Sequence, residues 1–135
     1  MTDKAPTPPL ALLRALFLTS GLGSIIVVWA MRTYGGFEGV LDPDTAQLLA
    51  FVFLGVIAVN VLVLAGLRRF VERAHADRKP TLLLMGWAVG EGGTLLGAVH
   101  YLLTGGTTVF IGGAVVLLLT LFVLLPLPAD KRPAS

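Results

Sequence analysis

Cysteine is absent from the chain, which excludes disulfides and thiolate-bound metals and leaves the redox compartment unreadable. Charge is scarce too. Only 13% of the 135 residues are Asp, Glu, Lys or Arg, against about 25% in an ordinary soluble domain. One histidine and one glutamate placed as His100 and Glu91 are do not make a metal site. Nothing resembles a nucleophile–base pair, a phosphate loop or a cofactor motif, so a non-enzymatic protein without cofactor is expected. The formal net charge of +2 does not suggest a nucleic-acid partner, because the basic residues sit beside apolar segments, where they set topology.

What the chain has instead is apolar length. Hydrophobic residues make up 56% of it, and the mean hydropathy is +0.87. Four stretches, Leu10–Met31, Ala46–Leu67, Thr81–Leu103 and Thr107–Leu125, have the roughly 17 to 25 residues that a spanning helix needs. The expected fold is all-α: a single domain forming a polytopic four-helix transmembrane bundle, with the lipid bilayer as its first partner. Arg14 lies close enough to the start of the first stretch to snorkel. Trp29-Ala30-Met31-Arg32 lacks a small-x-small cleavage pattern, so the stretch is expected to be a retained span. With four crossings, Lys4, Arg14, Arg68, Arg69, Arg73, Arg78, Lys79, Lys131 and Arg132 share one side and Arg32 alone takes the other. That asymmetry predicts cytoplasmic termini in the cell inner (plasma) membrane.

The connections carry their own signals. Residues 1–9, with Pro6, Pro8 and Pro9, read as an extended tail, and residues 129–135 as a polar one after Pro126 and Pro128. In the outer loop Gly35, Gly36 and Gly39 favour turns, and Asp42-Pro43 marks a helix start. The second helix is expected to run past the membrane surface until Pro80 stops it. It carries a basic cluster, Arg68, Arg69, Arg73, Arg78 and Lys79, that reads first as a solvated topology determinant. Such a cluster also attracts anionic headgroups, by about 1 kcal/mol per basic residue. Thr104-Gly105-Gly106-Thr107 is so short a turn that the third and fourth helices must be antiparallel neighbours, and two hairpins describe the expected layout.

The third helix holds the chemistry. Gly86, Gly90, Gly93 and Gly97 form one stripe at helical spacing, in small-xxx-small pairs that allow close helix approach within the chain or to another copy. Glu91, the only acidic residue in the four stretches, points roughly 120° to 140° away from that stripe at about 100° per residue. A carboxyl group at membrane depth is a functional hypothesis by default. Without a cation at its depth it favours a neutral, hydrogen-bonding form. Ser20, Ser24, Asn60 and Thr120 lie at matching depth, so a polar layer joining them to Glu91 is a candidate intramembrane polar or ion site. His100 lies on the stripe side, roughly 13 Å along the helix from Glu91, and reads as an interfacial polar residue.

The segment Glu91-Gly92-Gly93-Thr94-Leu95-Leu96-Gly97-Ala98-Val99 resembles the ion-binding helix of ATP synthase proteolipid (c) subunits, and Arg78-Lys79-Pro80 resembles their polar loop. This resemblance implies that Glu91 is the proton- or sodium-binding carboxylate of a rotating ring. The whole chain resembles small four-helix bacterial integral membrane proteins with a Glu-containing third helix and a Leu-Thr-Gly turn, here Leu103-Thr104-Gly105, which implies a fold and a location without an activity. The expected function is that of a helix-packing or accessory subunit, in a homo-oligomer or a larger membrane complex. Proteolipid-like translocation through Glu91 is the alternative.

Overall fold

The structure, a computed structural model, describes residues 9–36 and 38–127. The tail expectations for residues 1–8 and 128–135, including Lys4, Lys131 and Arg132, lie outside the described residues. Four helices follow in chain order: α1 (Leu10–Tyr34), α2 (Pro43–Arg73), α3 (Lys79–Thr104) and α4 (Thr107–Leu119), the last continued by a π-helical turn, Thr120–Leu124. The described residues contain no strand, and the fold is all-α. All four helices are long and apolar enough to cross a membrane.

Local chemistry sets the helix ends. Asp42 accepts the Thr45 N–H at 3.0 Å and Pro43 takes the first position of α2, where a missing N–H matters least. At the far end, α2 stops at Ala74, whose backbone is extended (φ −71°, ψ 148°). The break is therefore made before Pro80, which instead sits in the first turn of α3. Gly105 closes α3 in the left-handed region (φ 76°), with its N–H on the Tyr101 carbonyl at 2.8 Å, a conformation that favours glycine.

Helix α3 is the centre of the molecule and packs against α1, α2 and α4. Both α1 and α2 also touch α4, yet they barely touch each other, so the two-hairpin layout needs correction. One tight hairpin, α3–α4, is flanked by two separate helices. The connection between α1 and α2 explains this, because it straddles the end of α3. There Val40 donates its N–H to the Leu103 carbonyl at 3.0 Å, and a Cβ on Gly39 would lie 3.2 Å from the Thr104 carbonyl oxygen.

The core follows the same plan. Leu83, Trp87, Val109, Leu117, Leu121 and Leu125 of the α3–α4 pair are buried, whereas α1 buries only Gly21 and α2 only Ile57 and Leu64. Leu12, Leu16, Ile26, Phe51, Val59 and Leu62 are among the many large apolar side chains left exposed on the flanking helices. Apolar surface of this extent is larger than soluble monomers usually expose and is compatible with a surround of acyl chains.

Candidate functional site

The glycine stripe is used inside the chain. A Cβ on Gly86 would strike Leu125, and one on Gly90 would come within 2.7 Å to 2.9 Å of the Thr120 side chain. At Gly97 the obstacle is backbone, the Val109 carbonyl oxygen at 2.8 Å and the Phe110 Cα at 3.2 Å. Gly113 of α4 returns the approach, with the Gly93 carbonyl oxygen 2.6 Å from its would-be Cβ. Two main chains this close leave room for the buried Thr94 hydroxyl to donate to the Gly113 carbonyl at 3.1 Å.

Three neighbours therefore cover three sides of α3, and the expected polar layer divides between them. Asn60 of α2 lies over Gly93 and donates to the Val89 carbonyl at 3.0 Å. Thr120 packs on Gly90 and donates to the Val116 carbonyl of its own helix at 2.6 Å. Ser24 bonds back to the Ser20 carbonyl at 2.9 Å. Only Ser20 shares a site with Glu91. Matching depth is a necessary condition for a polar layer, but azimuth separates these residues: Asn60 and Thr120 face the glycine side, which Glu91 does not.

Glu91 is partly buried in a lateral cleft of about 180 Å³ between α1 and α3, whose other walls are Leu13, Leu16, Phe17 and Ser20. No hydrogen bond or ion pair among the described residues uses its carboxyl group. Beside it runs the one uncovered face of α3. Ala88, Leu95 and Val99 are exposed there, and a Cβ on Gly92 would meet nothing within 4 Å. Ala88 and Gly92 are themselves a small-xxx-small pair.

Elsewhere the structure corrects or adds to the reading. His100 is 2% exposed. Its ring lies edge-on to Phe53 at 5.5 Å, its Nδ1 is 3.3 Å from the Thr104 hydroxyl, and its Nε2 has no partner among the described residues. Arg32, noticed in the sequence only for its side of the membrane, donates to the Tyr101 and Leu102 carbonyls at 3.1 Å and 3.0 Å. A cation there complements the negative end of α3. The Trp87 indole, fully buried, donates to the Leu125 carbonyl at 3.0 Å just after the π turn. Neither contact follows from helical periodicity, though a lone arginine at a helix end was a usable hint of the first.

The basic cluster also divides. Arg68, paired with Glu72 at 2.9 Å, and Lys79 line one cleft, Arg73 and Arg78 line another with Phe70 and His75, and Arg69 lines neither. No group of three or more His, Cys, Asp or Glu side chains able to hold a metal occurs among the described residues. Comparison of the chain with protein families, with characterised proteins and with solved structures returns no match.

Proposed function

We propose that this chain is a non-enzymatic, multi-pass integral membrane protein that acts as an accessory subunit. In this reading the uncovered face of α3 receives a transmembrane helix of a partner subunit. The observation that carries it is the contrast around α3: the glycine stripe is filled by the chain's own α4 and α2, while Ala88 and Leu95 stay exposed on the other side, next to a half-buried Gly92 whose Cβ position is free and a half-buried Glu91. The small pair admits a close backbone, and the carboxylic acid offers a hydrogen bond where water is absent. The helices cross the bacterial inner membrane with the α2–α3 connection and both termini cytoplasmic, as the basic side chains favour.

A second reading, ion translocation by Glu91, draws support from the same unpaired carboxyl group in a lateral apolar cleft. It is second because the stripe that would pack a ring of copies is occupied within one chain. Glu91→Gln and Glu91→Leu separate the two. For an accessory subunit, native purification retains the same co-purifying subunits with Glu91→Gln and loses them with Glu91→Leu, since glutamine keeps the hydrogen bond. For translocation, Glu91→Gln abolishes proton- or sodium-linked activity, and a hydrophobic carbodiimide labels Glu91 selectively.

A further inference from the structure

The cytoplasmic-side ends of α2, α3 and the π turn flank a second, half-open cleft of about 200 Å³. Its wall is apolar, formed by Val71, Leu83, Leu124, Leu125 and Leu127, and its rim is charged, carrying Arg68, Glu72 and Lys79. We propose that it binds one anionic phospholipid. The phosphodiester sits between the Lys79 ammonium and the Arg68 guanidinium, and an acyl chain lies along Leu124 and Leu127. The proposal rests on the reading that the four helices span a bilayer.

The cleft is built by the fold rather than by a loose surface. The π turn ends α4 at Leu124, and the Leu125 N–H closes it on the Thr120 carbonyl at 2.9 Å. The Trp87 indole then holds the Leu125 carbonyl at 3.0 Å, and Leu125 packs where Gly86 leaves space. Leu83 and Leu125, each 1% exposed, form a fixed floor. Helix α2 meanwhile continues to Arg73, so it carries Arg68 and Glu72 alongside the gap that the shortened α4 leaves.

Charge selects the ligand. Arg68 spends its Nε on Glu72, and Lys79 has no ion pair or side-chain hydrogen bond among the described residues. Two cations against one carboxylate leave the rim net positive. A free phosphate would use that rim but not the leucine wall, and a zwitterionic lipid would use the wall but bring its own cation to the rim. An anionic phospholipid uses both.

Native mass spectrometry of the full chain in detergent, titrated with phosphatidylglycerol, phosphatidylcholine or inorganic phosphate, tests this. The expected result is one retained phosphatidylglycerol, not displaced by inorganic phosphate and not matched by phosphatidylcholine. Each cation removed, in Lys79→Gln or Arg68→Gln, should weaken retention roughly fivefold, the equivalent of about one surface charge. Lys79→Arg should restore it, and Arg73→Gln with Arg78→Gln, in the neighbouring cleft, should leave it unchanged. Equal retention of phosphatidylcholine, displacement by phosphate, or an equal loss in the Arg73/Arg78 pair would overturn the site. Carbonate extraction of membranes from cells expressing the same chain separates the two readings. A chain that stays in the membrane without selecting phosphatidylglycerol contradicts only the lipid site, and one that is extracted contradicts the spanning reading as well.

Discussion

Glu91 shows how much one residue's place in a sequence can say. Its position along α3 and its direction away from the glycine stripe were both legible, because a helix fixes rise and angle per residue. Its partners were not, since three other helices sit at every depth and only packing decides which side chains turn toward it. Thus Ser20 shares its cleft while Asn60 and Thr120 do not. Asp42 was fully legible because a cap is local. Hydrogen bonds from the Thr45 hydroxyl and then its backbone N–H hold the Asp42 carboxyl below its ordinary value of 3.8. Its stabilisation of the start of α2 is therefore present above that value and lost as pH falls through the lower, folded-state one. The protection of the Thr45 amide against hydrogen exchange, taken relative to the intrinsic rate at each pH, should fall over that acidic window, and Asp42→Asn should remove the pH dependence.

At the scale of elements, the four helices were readable from apolar length alone, and their ends only where a cap or a turn residue marked them. The second helix outran its apolar run to Arg73, because charged residues continue a helix in water as readily as apolar ones do in lipid. The stripe on α3 was visible as a packing surface, but periodicity cannot tell a neighbour in the same chain from one in another. The structure assigns it to α4 and α2, and that assignment has a stability consequence. Gly97→Ala meets backbone that cannot step aside and should cost about 1 to 3 kcal/mol, the range for overpacking. Gly92→Ala meets nothing and should leave the isolated protein unchanged or more stable by up to about 1 kcal/mol, the propensity gain. Reversible unfolding in mixed micelles measures both. Equal losses would mean that the stripe is not the tight face.

The molecule as a whole pairs a close-packed hairpin with two flanking helices that expose most of their apolar surface. The overall all-α plan was legible, whereas the separation of α1 from α2 was not, because it depends on the connection between them docking on the end of α3. The absence of cysteine makes topology direct to test. A cysteine replacing Glu38 should react with an impermeant maleimide on intact cells, and one replacing His75 should react only after lysis; the reverse pattern would invert the orientation.

The central claim is that the open face of α3 beside Glu91 is a docking face for another membrane polypeptide. A photo-crosslinking side chain placed at Leu95, on that face, reads it in native membranes. The expected result is a discrete adduct with a different membrane polypeptide, preserved by Glu91→Gln and lost with Glu91→Leu. Crosslinks to lipid alone, or an adduct indifferent to Glu91→Leu, would contradict it.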